Sequence, residues 1–456
     1  MTSADLIARY DGRVPRYTSY PTAPHFSPMV GAERYAAWLR ELAPDLPISL
    51  YLHVPFCDRL CLYCGCNTGV VRHEAPRRDY ASLLERELRW VAEQVGRRRV
   101  SHVHWGGGTP TTLPGDCLTG LMTVIRSLFD LTDDAEIAIE LDPTALHADR
   151  LAALASMGVT RVSLGVQDLN PAVQQAIGRL QSYEETEACA QAVRALGVSA
   201  INLDLIYGLP LQTEQSVAET ARRALQLKAG RVAVFGYAHV PWMKKHQALI
   251  PEASLPGAQA RFDQRAAIGR VLEQEGGYVP VGLDHYARPD DALAQAATSG
   301  ALHRSFQGYT TDAAPALIGL GASAIGCLPQ GYVQNATRVP DYRQAIRAGH
   351  AAIVRGVALS PEDRLRRAVI EQVMCDLQAD LPDIARAHQA DPTLLLNAAQ
   401  KLDGFARDGL VRWDGAVVRV TETGRPFVRN VAAIFDAYLN HHHSENNDQP
   451  RHAQAV

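Results

Sequence analysis

Lysine is nearly missing from this 456-residue chain, occurring only at 228, 244, 245 and 401 and leaving arginine to supply the rest of the 45 basic residues. Arginine's planar fork suits carboxylates and phosphates, but genomic base composition explains such a bias more often. A net charge of -4 and the lack of a basic stripe argue against a nucleic-acid partner. No uninterrupted apolar run reaches the length of a membrane span; the longest candidate, 316–328, is short and broken by Gly319, Gly321 and Gly326. The opening MTSADLIARYDG has no apolar core of signal-peptide length, so a cytoplasmic, reducing location with no membrane partner is expected. There is no repeat of fixed period. Cys117, Cys189, Cys327 and Cys375 stand singly and read as small buried hydrophobes.

What is present is a regular alternation. After a Pro- and aromatic-rich arm over residues 1–45 (RYTSYPTAPHFSP), strand-like runs occur at 48–54, 101–105, 136–141, 161–166, 200–206 and 231–237. Helical patterns at 77–95, 147–157, 184–196 and 214–228 lie between them. Six strands alternating with helices specify a parallel α/β sheet with right-handed crossovers. An open doubly wound sheet and a partial barrel both satisfy that pattern. The strand ends favour the barrel: the cysteines after the first strand, GGGTP at 106–110, Glu140 with Asp142, Gln167 with Asp168, Asp204, and Tyr237 with His239 would converge on one site. The core domain is assigned to 46–350, including a C-terminal extension of the barrel.

A small, mainly helical domain is expected over 351–440. Ser360-Pro361 has the chemistry of a helix start, and Asp414-Gly415 inside LVRWDGAVVRV marks a hairpin; helices with a hairpin suggest a winged-helix-like unit. Residues 441–456, with adjacent His441, His442 and His443, read as a solvated tail.

Four cysteines fall within ten residues: Cys57, Cys61, Cys64 and Cys66. Structural zinc usually draws two separated C-x2-C pairs, and no second pair exists here. Three thiolates spaced C-x3-C-x2-C suit an iron-sulfur cluster. With three protein ligands, one iron of a four-iron cluster is left open to a substrate or cosubstrate.

The spacing, with Tyr63 before the third cysteine, resembles the signature of the radical S-adenosylmethionine (SAM) enzymes. RYTSYPTAPHF at 16–26, YLHVPFC at 51–57, CGCN at 64–67, HWGGGTPT at 104–111, IELDP at 139–143, SLGVQD at 163–168, NLDLIYGLP at 202–210, YAHVP at 237–241, DHYARPDD at 284–291 and FQGYTT at 306–311 extend the likeness. Together they resemble the oxygen-independent coproporphyrinogen III oxidase family from the arm to about residue 440. The resemblance implies a partial (β/α)6 TIM-like barrel of the radical SAM type, with the arm over its active site and the C-terminal domain helping to enclose the substrate. It further implies a [4Fe-4S] cluster, two SAM molecules, and conversion of two propionates of coproporphyrinogen III to vinyl groups. The implied reaction needs a reductant for the cluster and an acceptor for the substrate electron, neither identified by the sequence; a monomer is expected.

By the same resemblance Cys57, Cys61 and Cys64 hold the cluster, and Tyr51, Tyr63, Gly107, Gly108, Thr109, Glu140, Gln167, Arg179, Asp204, Ala238 and Ile325 contact the cosubstrate. Cys66 is assigned a catalytic role off the cluster. For the substrate's carboxylates, arginines and the arm's Tyr17 and Tyr20 are the candidates. The competing expectations are a haem-binding chaperone or haem-degrading relative, and a non-catalytic iron-sulfur or zinc protein. The presence of CGCN and of the long arm favours the oxidase.

Overall fold

The computed structural model describes residues 2–439; the tail with its three adjacent histidines lies outside the described residues. Its centre is six parallel strands in sequential order: β1 (Ile48–Val54), β2 (Arg99–Gly107), β3 (Asp130–Leu141), β4 (Arg161–Gln167), β5 (Ala200–Tyr207) and β6 (Arg231–Gly236). Alternation along each strand divides two environments. On β1, Leu50, Leu52 and Val54 are fully buried in the apolar core, whereas Tyr51 and His53 alternate with them on the polar face. Helices cover the apolar side, the longest being Glu74–Val95, which buries Leu84, Leu88 and Val91.

The sheet continues beyond the six expected strands at both edges, giving twelve in all. Ala316–Leu320 pairs parallel to β1, and Ile325–Leu328, Gly331–Asn335 and Ile353–Ala358 follow it antiparallel. Beyond β6 lie His285–Ala287 and Val279–Val281. The glycine-broken run at 316–328 is therefore a pair of strands: Gly319 sits where the facing backbone approaches too closely for a Cβ, and Gly326 where the fit is tight. Because Ile353–Ala358 pairs within the large sheet, it belongs to the barrel's extension, eight residues past the expected start at 351.

The small domain begins with the helix Pro361–Asp376, started by a capping box in which Ser360 accepts from the Asp363 amide and the Asp363 carboxylate accepts from Ser360. Its hairpin, Val411–Trp413 with Val417–Val420, is joined by Gln378–Asp380 into a three-stranded sheet. At the turn, Asp414 accepts from the amides of Ala416 and Val417.

The arm is more ordered than its composition suggests. Ser3–Tyr10 is a helix whose Leu6, Ile7 and Tyr10 pack against Leu410 and Phe427 of the small domain. Tyr17 and Tyr20 are buried in the small domain's core; the Tyr17 hydroxyl donates to Asp436 at 3.0 Å, and the Tyr20 hydroxyl accepts from the Ala437 amide at 3.0 Å. They fasten the arm to the C-terminal domain, with both hydroxyls engaged by protein groups.

Candidate active site

A cavity of about 560 Å³ opens at the C-terminal ends of the six strands. All the residues assigned to the site line it except Tyr51 and Ile325. Tyr51 lies deeper, its hydroxyl 3.0 Å from Nδ1 of His53. Ile325 packs on the sheet extension beside the cluster formed by Phe26, Tyr332 and Leu359.

The cysteine loop follows directly from β1. The Cys57 thiol is 3.0 Å from the Thr68 hydroxyl and accepts from Thr109 at 3.8 Å. The Cys61 thiol accepts from Arg179 Nη1 at 3.7 Å. A hydrogen bond from the Cys66 thiol, aided by the Cys66 amide, His246 and Lys244, draws the Cys64 thiol down to about 6 against the effect of burial; the same bond holds the Cys66 proton firmly on its own sulfur. Burial pushes the Cys57 thiol up.

The residues at 240–250 clasp this loop by its carbonyls: Gln247 donates to Tyr63, His246 Nε2 lies 2.8 Å from the Cys64 oxygen, and Lys244 donates to Cys66. Two of the chain's four lysines thus lie in the segment that clasps the cluster loop. Lys244, His246 and Gln247 were not identified from sequence, because a donor aimed at a distant carbonyl leaves no local pattern.

The glycine loop after β2 fits against the cysteine loop. The amides of Gly108 and Thr109 donate to the carbonyls of Val54 and Phe56. A Cβ on Gly108 would stand 2.5 Å from the Phe56 carbonyl oxygen and 3.0 Å from Cys57 Sγ. Gly107 has φ 116°, and a Cβ there would meet the His53 ring at 2.7 Å. His53 supports this loop from below, also lying 3.0 Å from the Asn67 carbonyl; its place on the polar face of β1 is the signal that would have singled it out.

Around the opposite wall, Arg179 is held by Asp142 at 3.2 Å and by the Gly165 carbonyl at 2.8 Å. Burial works against its charge, but Tyr63, Asp142 and Cys61 outweigh it and keep the guanidinium protonated. Glu140 accepts from the Gly107 amide and lies 3.3 Å from His104 Nε2. Asp204, pushed up to about 7 by burial and next by Glu140, accepts from Asn202 at 2.9 Å. Gln167 occupies the left-handed region at φ 67°, the kind of local strain that collects at functional sites.

This donor set fits the expected cluster. Cys57, Cys61 and Cys64, spaced C-x3-C-x2-C on one loop, all line the same polar chamber, and three such thiolates are the kind of ligand that holds an iron-sulfur cluster. The chamber beside them offers a glycine backbone, two carboxylates and a guanidinium to a cationic amino acid with a nucleoside attached.

The comparisons with known proteins agree with this geometry. Residues 51–224 match the model of the radical SAM superfamily, and residues 359–427 match the HemN C-terminal domain. The chain is 50% identical over 438 residues to the oxygen-independent coproporphyrinogen III oxidase of Bradyrhizobium diazoefficiens, covering 96% of this chain and 97% of that one. It is 41% identical to the Escherichia coli enzyme of the same name, covering 95% of each. The solved structure described as coproporphyrinogen III oxidase (HemN) from Escherichia coli, a radical SAM enzyme, superposes with a TM-score of 0.89 at 39% identity, covering 96% of this chain and 99% of that one. Full-length identity at this level, on a barrel that brings three cysteines, a glycine loop and paired carboxylates to one chamber, shows that the chain belongs to the oxygen-independent coproporphyrinogen III oxidase family of radical SAM enzymes.

Proposed function

We propose that this enzyme converts two propionate side chains of coproporphyrinogen III into vinyl groups, releasing two CO2 and giving protoporphyrinogen IX. For each propionate, one hydrogen atom leaves the β-carbon, the carboxylate leaves as CO2, and one electron passes to an acceptor. The observation that carries this reading is the single chamber holding Cys57, Cys61 and Cys64 beside Gly107, Gly108, Glu140, Arg179 and Asp204. A reduced [4Fe-4S] cluster with SAM supplies a 5′-deoxyadenosyl radical able to take that hydrogen.

The protein's part is positioning and exclusion. Cys57, Cys61 and Cys64 hold the cluster, and Gln247, His246 and Lys244 fix their loop. The Gly107–Thr109 backbone admits the methionyl part of SAM without Cβ obstruction. Glu140 and Asp204 accept from hydroxyl or amino groups, and Arg179 pairs a carboxylate. Tyr63, Gln167 and Ala238 complete the walls for two SAM molecules. Tyr51, held by His53, and Ile325, on the sheet extension, act from outside the wall. Arg16 of the arm donates to the Gly236 carbonyl across the mouth of the chamber, so the arm shields the reaction from water and oxygen. The enzyme works as a single chain with a separate reductant and electron acceptor.

Anaerobic incubation of the reconstituted protein with coproporphyrinogen III, SAM and a chemical reductant, followed by assay of protoporphyrinogen, CO2 and 5′-deoxyadenosine, tests this. Formation of 5′-deoxyadenosine without vinyl product would reject the substrate. Stable haem binding without turnover would favour a haem-handling protein.

A further inference from the structure

Below the layer formed by His104 and Glu140 lies a second cavity of about 270 Å³. Its walls come from the lower parts of β1, β2 and β3, the 303–315 segment and the small-domain helix Pro361–Asp376. None of the cluster or cosubstrate residues assigned above lines it. His104, on its wall, stands 3.3 Å from Glu140, on the wall of the upper chamber, so one pair of side chains separates the two spaces.

The charges here are unevenly matched. Each lining carboxylate already has a partner: Asp312 has His102 at 3.1 Å, Glu371 has His303 at 3.2 Å, and Glu136 has Arg161 at 2.8 Å. One lining guanidinium, that of Arg304, is less well satisfied. The side chain of Arg304 is only 4% exposed and stacks on Tyr309 at 4.3 Å. Its Nε donates to the Arg16 carbonyl at 3.3 Å, but its Nη1, 3.9 Å from Asp284, makes no hydrogen bond among the described residues. A second guanidinium, Arg367, enters from the other domain, 5.3 Å from the centre of the Tyr332 ring and beside Cys327 and Glu371. Nε2 of Gln307, on the same wall, is also buried without an acceptor. Buried donors left unpaired are costly and rare. Here the Arg304 and Gln307 donors gather in a cavity whose carboxylates already have partners, and the missing group is an acceptor.

We infer that this lower chamber anchors the propionates of the tetrapyrrole that are not being decarboxylated, with Arg304 and Arg367 as the carboxylate-binding residues. The inference rests on the proposed function, because coproporphyrinogen carries four propionates and only two react. A cavity of this size falls just short of the range that encloses a whole drug-sized ligand, so it holds one edge of the macrocycle, leaving the reacting edge toward the upper chamber. Arg304 belongs to the barrel and Arg367 to the small domain, so the bound carboxylates also bridge the two.

The test compares coproporphyrinogen III with an analogue whose two non-reacting propionates are methyl esters. Wild-type turnover of the free acid checks the function itself; the variants Arg304→Ala, Arg367→Ala and Arg367→Lys check the anchor. A charge-assisted hydrogen bond is worth about 1.5–3 kcal/mol, or about ten- to a hundredfold in affinity, so each alanine variant is expected to raise KM for the acid by that factor. The same variants should lose the wild-type preference for acid over ester. SAM-dependent perturbation of the cluster's EPR signal should persist, and Arg367→Lys should recover part of the affinity. An unchanged KM, or a fall in kcat with the acid-ester preference intact, would assign these arginines to packing and overturn the inference.

Discussion

The amide of Gly107 donates to Glu140 Oε2 at 3.1 Å, joining the loop after β2 to the end of β3. That bond fixes the glycine backbone at the chamber wall, with the His53 ring directly behind it.

Adjacent glycines should therefore fail differently. Gly107→Ala forces a side chain into a left-handed backbone and into His53, at a cost of about 1–3 kcal/mol, and is expected to keep iron but lose SAM binding. Gly108→Ala drives a Cβ toward the Phe56 carbonyl and Cys57 Sγ and is expected to lose the cluster. Iron and sulfide content beside equilibrium SAM binding separates them; retention of the cluster in Gly108→Ala would refute the proposed contact between the two loops.

The four clustered cysteines should divide three to one. Cys57→Ser, Cys61→Ser and Cys64→Ser are each expected to lose most of the reconstituted cluster. Cys66→Ser is expected to retain it and lose turnover, since the Cys66 thiol faces the chamber and donates toward Cys64. Cluster loss in Cys66→Ser would make Cys66 a ligand, and full activity would make it packing.

The barrel was legible because its strands alternate: Leu50, Leu52 and Val54 against Tyr51 and His53 state both the period and the face. The sheet extension was not, because at Gly319 and Gly326 close backbone approach replaces the side-chain pattern. The site showed the same division. Cys57, Cys61, Cys64 and Gly107 announce themselves by spacing or composition, whereas Gln247 and His246 act on carbonyls nearly two hundred residues earlier, a relation that exists only after folding. The part Tyr17 plays in fastening the arm was not legible either, because an aromatic hydroxyl suits a carboxylate of the protein, here Asp436, as well as one on a ligand.

The cosubstrate's affinity should depend on pH through Asp204, whose carboxyl titrates at about 7 before anything binds. A carboxylate accepting from a ligand's hydroxyl or amino group is favoured when ionised, so binding lowers this pKa and strengthens as pH rises through 7. Asp204→Asn is expected to bind SAM about tenfold more weakly with a flatter profile between pH 6 and about pH 8. Calorimetric titration across that interval provides the measurement; a wild-type affinity independent of pH would remove Asp204 from the contact.

Stability should show the opposite slope through Glu87. This buried carboxylate accepts from the Gly321 amide, Asn335 and Tyr342, yet burial pushes it up to about 7, well above the ordinary carboxylate range. The folded state then binds the proton more tightly than the unfolded chain. Its contribution is greatest below the unfolded pKa and is lost as pH rises through about 7, a change on the order of 3 kcal/mol. Denaturant midpoints measured anaerobically should fall over that range in wild type and much less in Glu87→Gln. Equal slopes in the two proteins would exclude Glu87 as the titrating group.

The packing of Leu6, Ile7, Tyr10, Tyr17 and Tyr20 into the small domain also orders events on the ribosome. Apart from Ala258 and Phe262, the surface these residues bury against belongs to the segment carrying Leu365 to Phe435 and is absent until that has been translated. All six barrel strands and the cysteine loop emerge before then, with the chamber mouth still uncovered.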